Sequence, residues 1–194
     1  MITMESFDQY NENLHSFMEG VIVTDIHGKT LDRNDGLSRV TANLQTVKTS
    51  RKKVMIVGNG GSAAIASHLQ NDLCKAVQMR AMVFTEGPLL TALSNDICYA
   101  AAYPELVNLW TDDGDMLVAI SSSGRSKNII DAVEAARKRG CSQIVTLSGF
   151  LPDNPLRKIG DINLYVASGE YGYVELAHSV LAHYISDQTP KNNP

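Results

Sequence analysis

The chain has few of the features that mark membrane-spanning or secreted proteins. Its three cysteines are scattered and match no metal-binding or disulfide spacing, which is typical of free thiols in a reducing compartment. No apolar run approaches the roughly 20 residues that a membrane-spanning helix needs. The N-terminal segment has no basic stretch followed by an apolar one, so we expect no signal peptide. The sequence therefore predicts a cytoplasmic protein that does not engage a membrane.

Positive charge is also scarce. Lysine and arginine together number 17 against 21 acidic residues, which gives a net charge of −4. A chain without a basic surface lacks the electrostatic signature of nucleic-acid binding, so we expect no nucleic-acid partner. Any anionic ligand must therefore be held by local hydroxyl and backbone N–H donors. The 194 residues and 44% hydrophobic content suit one globular domain with a full core.

A strand–turn–helix pattern begins at residue 54. Val54–Val57 is a short apolar run of the kind that buried parallel strands show. The glycine-rich turn Gly58–Gly61 follows, and an alanine-rich helical pattern begins at Ser62. In this arrangement the free N–H groups of a helix N-terminus point at the end of the strand, where an anion can bind.

A second loop with anion-binding composition follows another apolar run. Residues Ser121–Ser126 contain four serines and precede a helical pattern. Serines also cap many ordinary helices, so one such loop alone is as compatible with a cap as with a ligand. Two loops of this kind favour a phosphate site, because ligands of open parallel sheets bind beyond the carboxyl ends of the strands. The glycine turn lacks the spacing of nucleoside-triphosphate and dinucleotide loops, so those ligands are disfavoured.

Strand and helix patterns alternate along most of the chain. Five predicted strands begin near residues 54, 80, 115, 143 and 161, with helical patterns between them. This alternation predicts a three-layer αβα sandwich around a five-stranded parallel sheet. Helical patterns at residues 3–19 and 37–49 precede the first strand, and residues 20–36 between them predict an irregular excursion or a small hairpin.

Three motifs in order resemble those of the sugar isomerase (SIS) family. They are G-N-G-G-S-A-A before a helix that carries His68, then L-S-N-D, then A-I-S-S-S-G-R-S-K-N. The resemblance spans about residues 54–186 and is strongest to the bacterial phosphoheptose isomerases, although residues 20–36 match no pattern of that family. It implies three regions, which are a helical extension for oligomerisation at 1–50, a phosphosugar-binding SIS domain at 51–188, and a flexible tail at 189–194.

The resemblance implies an aldose–ketose isomerase that converts a sugar phosphate, such as sedoheptulose 7-phosphate, through an enediol. It also implies a homotetramer with active sites at subunit boundaries. Two alternatives stay open, namely a non-catalytic SIS protein that binds a partner such as a replication initiator, and a sugar-phosphate sensor. The partner-binding branch lacks a catalytic acid and histidine at positions where this chain retains such groups, which favours an enzyme.

Carried over by position, the resemblance assigns ligand contacts to both loops. The residues expected to hold the phosphate are Gly60, Ser62, Ser121, Ser122, Ser123 and Ser126. Two further residues, Asn59 and Asp96, fall where the family contacts the sugar chain.

The resemblance also assigns a metal and catalytic set to two helices. The family has His and Glu four apart on one helix, and Gln and His eight apart on the last; the matching residues here are His68, Asp72, Glu175 and His183. Two carboxylates and two imidazoles suit Zn²⁺. Positions eight apart lie about 12 Å apart along a helix, so both reach one ion only if their side chains lean together. We expect Asp72 and Glu175 to share the roles of base and ligand, His183 to shuttle the second proton, and His178 to be an ordinary hydrogen-bonded residue.

Overall fold

The computed structural model describes residues 5–191, in which one mixed β-sheet lies between two layers of helices. The strands are β1 (Ile22–Asp25), β2 (Thr30–Leu31), β3 (Lys53–Gly58), β4 (Arg80–Val83), β5 (Met116–Ser121), β6 (Gln143–Ser148) and β7 (Ile162–Tyr165). The helices are α1 (Phe7–Glu19), α2 (Arg33–Thr49), α3 (Gly61–Lys75), α4 (Gly87–Asp96), α5 (Tyr99–Trp110), α6 (Lys127–Lys138) and α7 (Tyr171–Gln188), with a short 3₁₀ helix at Leu156–Lys158. The predicted helix start at residue 3 and the last three residues of the predicted tail lie outside the described residues.

The five predicted parallel strands are confirmed as β3 to β7, but the sheet has seven strands and not five. Its order is β2-β1-β7-β6-β5-β3-β4, in which β1 pairs antiparallel with both β2 and β7. The two extra strands come from residues 20–36. There the Asp25 carboxylate accepts the backbone N–H groups of His27 and Lys29 and closes a tight hairpin. Val23 is 1% exposed, so burial of this side chain in the core draws the hairpin onto the sheet edge.

Helices cover both faces of the sheet, which confirms the three-layer sandwich. All six residues of β3 are buried, and alternate side chains of a strand point to opposite faces. Val54 and Ile56 belong to a core shared with α2, α3 and α7. Met55 and Val57 belong to a second core shared with α5 and α6. The apolar β3 run is therefore explained by burial on both sides.

The first 50 residues contribute to the same core as the rest of the chain. Leu37, Val40, Leu44 and Val47 of α2 are buried against the sheet. Helix α1 buries no residue completely and lies on α7, where the Tyr10 ring stacks on the Tyr173 ring at a centroid distance of 4.4 Å. The division at residue 51 and the role of residues 1–50 in oligomerisation stay predictions.

Hydrogen bonds hold the described part of the chain end. The buried Thr189 donates its hydroxyl proton to the Ile185 carbonyl at 2.7 Å, and Lys48 Nζ donates to the Pro190 carbonyl at 3.0 Å. Across residues 5–191, none of the helices has both the length and the apolar character that a bilayer crossing demands.

The strand order places a crevice between β3 and β5. Strand β4 lies on one side of β3, whereas β5 and then β6 lie on the other side, so the chain reverses its direction of travel across the sheet here. The loops that leave β3 and β5 consequently diverge. Ligands of open α/β sheets bind at such a switch point, and both predicted anion loops begin at this one.

Candidate functional site

Both predicted anion loops open into a single pocket of about 190 Å³ at the switch point. The residues that line it are Asn59, Gly60, Gly61, Ser62, Ser121, Ser122, Ser123, Ser126, Tyr171 and Glu175. All the predicted phosphate residues are among them, as is Asn59. Asp96 is not, because it lies at the exposed end of α4, where its carboxylate accepts a hydrogen bond from the Asn95 side chain.

The pocket offers neutral hydrogen-bond donors. Gly60 has φ of +53°, a left-handed conformation that lets the chain turn from β3 into α3, whose first N–H groups have no partner within the helix. Ser121 Oγ donates to Ser126 Oγ at 3.1 Å, so these two hydroxyls hold each other in place. Ser122 Oγ is buried without a partner in the part of the chain that the structure describes. An unpaired buried hydroxyl is costly, and an anion in the pocket would satisfy it.

A pair of reciprocal amide hydrogen bonds connects the two loops. Asn59 Nδ2 donates to Asn128 Oδ1, and Asn128 Nδ2 donates to Asn59 Oδ1, both at 2.9 Å. Tyr99 Oη donates to Asn59 Oδ1 at 2.6 Å. The nearby Tyr103 donates to the Gly58 carbonyl at 2.7 Å, and its burial raises the pKa of this phenol to about 12, so it stays a donor. These contacts fix the Asn59 amide and leave it one N–H for a ligand.

The buried Asn154 packs against the serine loop, Ser121–Ser126. Gly124 has φ of +63°, and a Cβ at this position would collide with the Asn154 side chain. Asn154 is fully buried and donates to the carbonyls of Gly149 and Leu151 at 3.1 Å and 2.9 Å. The Gly124 carbonyl in turn accepts the Leu156 N–H at 3.1 Å. These contacts within the protein support the conformation of the serine loop.

Three of the four predicted metal ligands come together between α3 and α7. Asp72 Oδ2 lies 3.6 Å from His68 Nε2 and 3.3 Å from His183 Nδ1, and Ser186 Oγ donates to the same oxygen at 3.4 Å. The ligand atoms of His68, Asp72 and His183 all lie within 4.8 Å of one another. Neighbouring ligands of a tetrahedral zinc ion with bonds of about 2.1 Å are about 3.4 Å apart, so this donor set fits Zn²⁺. Three protein ligands and an open position are typical of catalytic zinc sites.

The fourth predicted ligand, Glu175, lies apart from these three residues, so the four-ligand set stays a prediction. Its carboxylate lies against Gly61 at the start of α3, in the pocket. Helices α3 and α7 run in parallel, since Gly61 meets Glu175 and, further along, Asp72 meets His183. Eight residues of α7 separate Glu175 from His183 by about 12 Å, and the Glu175 side chain does not lean across this distance.

The sequence matches a family model and relatives of known activity. The SIS domain model matches residues 22–148. The chain belongs to the SIS domain family. The phosphoheptose isomerase of Geobacter metallireducens is 32% identical over 146 residues, which are 72% of this chain and 76% of that protein. The phosphoheptose isomerase of Campylobacter concisus is 34% identical over 140 residues, 69% and 73% of the two chains.

Solved structures show the same architecture. Phosphoheptose isomerase GmhA from Neisseria gonorrhoeae superimposes with a TM-score of 0.75 at 27% identity, covering 80% of this SIS chain and 86% of the other. A phosphoheptose isomerase from Francisella tularensis superimposes with a TM-score of 0.78 at 23% identity, covering 95% and 97% of the two chains. The fold predicted from the alternation of strands and helices is therefore that of an SIS domain.

Several residues of this SIS site were missed by sequence reasoning. Asn128 ends the quoted S-S-S-G-R-S-K-N motif, so its position was visible although its pairing with Asn59 was not. Tyr99 and Tyr171 gave no sequence signal, because an exposed tyrosine at a helix start has no distinctive pattern. Tyr171 lines the pocket, and its ring meets the Phe150 ring edge-on at a centroid distance of 4.8 Å.

His178 lies in the core of the SIS domain, one turn beyond Glu175 on α7. Its side chain is fully buried, and Nε2 lies 3.2 Å from the Ser148 carbonyl. Burial lowers the pKa of this imidazole to about 4 and outweighs the opposing effect of the Ser148 hydrogen bond. His178 is therefore neutral at pH 7, and the expectation of an ordinary hydrogen-bonded histidine agrees with its place in the fold.

Proposed function

We propose that this SIS protein is an aldose–ketose isomerase that acts on a sugar phosphate, with sedoheptulose 7-phosphate as the substrate. One observation carries the proposal. An anion pocket with neutral donors and a cluster of two imidazoles and a carboxylate lie along the same pair of parallel helices. The similarity to the Geobacter metallireducens phosphoheptose isomerase supports the same activity.

The spacing along the helices supports a long sugar. His68 follows Gly61 by seven residues, and His183 follows Glu175 by eight, so the cluster lies about 10 to 12 Å beyond the pocket. A seven-carbon sugar 7-phosphate built from bonds of about 1.5 Å spans roughly 10 Å from phosphorus to the first carbon when extended. With its phosphate between the two loops, such a sugar brings its carbonyl end to the cluster. A three-carbon phosphate is too short for this.

Isomerisation moves one proton between adjacent carbons and another between their oxygens. Asp72 Oδ2 faces the two imidazoles, whereas Oδ1 accepts a hydrogen bond from the Asn71 side chain and keeps lone-pair capacity. We assign the base to Asp72, which takes the proton from the carbon next to the carbonyl and returns it to the neighbouring carbon. His183 moves the second proton between the two oxygens. Because Glu175 lies at the phosphate end, it is not assigned as the base.

The cluster would also hold a metal. His68, Asp72 and His183 are the residues proposed to bind Zn²⁺, which when bound polarises a carbonyl oxygen and stabilises the charge of an enediolate. The side chains of His68 and His183 are 57% and 50% exposed, so substrate can reach the cluster from solvent. Ser186 restrains the Asp72 carboxylate through its hydroxyl.

We also propose a cytoplasmic homotetramer. The exposed side chains of Leu176, Val180 and Tyr184 lie four residues apart on α7 and form an apolar stripe beside the cluster. A second copy of the chain that covered this stripe would place subunit boundaries at the site. Cys74 and Cys98 are free and exposed, which is consistent with a reducing compartment.

An isomerase assay over a panel of ketose phosphates tests the proposal. The Asp72→Asn variant keeps the shape of the side chain but removes the base, so we expect kcat to fall by about a hundredfold or more. His15→Gln, an exposed histidine on α1, serves as a control that leaves turnover unchanged. Full turnover by Asp72→Asn contradicts the assigned base. Phosphate binding by the wild type without turnover of any panel member contradicts the isomerase and favours a non-catalytic SIS protein.

A further inference from the structure

The charge of the pocket is unusual for a phosphate site. Among the described residues that line it, none is lysine or arginine, and Glu175 contributes a carboxylate. The two cations nearest in sequence, Arg125 and Lys127, do not line the pocket. Lys127 is paired with Asp131 at 2.7 Å, and Arg125 is exposed. An anionic ligand in this pocket therefore meets a negative side chain that no lysine or arginine of the lining balances.

The Glu175 carboxylate lies beside the first turn of α3. A Cβ on Gly61 would collide with both of its oxygens, so the carboxylate lies directly on the first residue of α3. The first turn of a helix carries a partial positive charge and free N–H groups, which stabilise a carboxylate as they stabilise a phosphate. Ser122 Oγ, buried in the same pocket, is left without a partner, so the carboxylate does not complete the site.

We propose that Glu175 is a specificity-determining residue, an internal anion that lies in the pocket beside the first turn of α3 and repels the phosphate of the ligand. The proposal rests on the proposed function for the identity of the ligand. Binding of a phosphate dianion requires the carboxylate to move away or brings two like charges together. The pocket therefore discriminates by charge and binds a highly charged phosphate more weakly than its donors alone would allow.

Titration with inorganic phosphate at pH 7.5 tests this inference on the full-length protein. The Glu175→Gln variant keeps the size of the side chain, removes its charge and adds a donor. The matched control is Glu170→Gln, which removes an exposed charge five residues away that does not line the pocket. Like charges about 6 Å apart at a protein surface repel strongly enough that we expect Glu175→Gln to lower the Kd for phosphate about tenfold or more. The control variant should match the wild type.

Salt provides a readout that a purely structural role would not change. Charge repulsion is screened, so the affinity ratio between Glu175→Gln and the wild type should shrink when the ionic strength is raised from about 0.01 M to about 1 M. A Glu175→Ala variant guards against a specific effect of the glutamine and should also bind phosphate more tightly than the wild type.

The outcomes separate this inference from the function on which it rests. Equal phosphate affinity in the wild type, Glu175→Gln and Glu175→Ala overturns the internal-anion proposal and leaves the phosphate pocket intact. Tighter binding by Glu170→Gln to the same degree also overturns it, because the effect is then one of net charge. Failure of all variants to bind phosphate overturns the phosphate pocket itself, and with it the proposed function.

Discussion

The amide pair between Asn59 and Asn128 yields the sharpest quantitative prediction. The two side chains exchange two hydrogen bonds of 2.9 Å, and Asn128 is only 3% exposed. Replacing Asn128 by alanine removes both bonds and separates the serine loop from the glycine loop. Replacing Asn59 removes the same two bonds and also the acceptor of Tyr99 Oη.

The magnitude follows from these contacts. A buried neutral hydrogen bond contributes about 1 kcal/mol net, so Asn128→Ala should lower the free energy of unfolding by about 2 kcal/mol. For a chain of this length, 1 kcal/mol corresponds to roughly 2 to 4 °C, which predicts a fall in Tm of about 4 to 8 °C. Because both single variants lose the same pair of bonds, the double variant should lose less than their sum, with a coupling energy of about 1 to 2 kcal/mol.

The assay is urea unfolding of the wild type, the two single variants and the double variant, followed by circular dichroism. Asn95→Ala removes an exposed asparagine that bonds only at the surface and serves as the control, with an expected effect within about 0.5 kcal/mol. If the two single effects add to within about 0.3 kcal/mol, the two loops are not coupled through this pair and the reasoning is refuted.

Two further predictions concern stability. Gly124→Ala should lower the free energy of unfolding by about 2 to 4 kcal/mol, because it combines left-handed backbone strain with a collision against Asn154. Gly28→Ala is the control, since Gly28 also has a positive φ but no neighbour that a Cβ would meet. Equal losses of stability in urea unfolding for the two variants would disprove the collision. Burial lowers the pKa of His178 from 6.5 to about 4. Between these two pH values the unfolded state binds a proton at this imidazole and the folded state does not. The free energy of unfolding should therefore drop by about 2 kcal/mol between pH 7 and pH 5, and a His178→Gln variant should lose less over the same interval; a parallel loss would refute this origin.

The parts of the fold that were predictable from the sequence depend on local chemistry. The apolar run Val54–Val57 needs burial on both faces, and the glycine turn after it permits the sharp entry into α3. The serines of the second loop lie after an equally apolar strand. The carboxyl ends of parallel strands lie at the same edge of a sheet. The sequence therefore predicts that the two loops share a pocket, without any distance being known.

The parts that were not predictable depend on packing between distant elements. Strand β2 has two residues and β1 has four, so neither gives a periodic signal, and only pairing with β7 makes them part of the sheet. The position of Glu175 depends on the register of α7 against α3. A shift by two turns would bring it to the cluster, and nothing local in the sequence sets that register.

The central claim is that two loops hold the phosphate while Asp72 moves a proton between the first two carbons of the sugar. Incubation of the protein with sedoheptulose 7-phosphate in D₂O, followed by NMR, tests this claim most directly. We expect that an aldose 7-phosphate accumulates, that deuterium enters at the carbon beside the carbonyl, and that Asp72→Asn slows both by about a hundredfold or more. A wild-type protein that binds the sugar phosphate but shows neither conversion nor deuterium incorporation would contradict it.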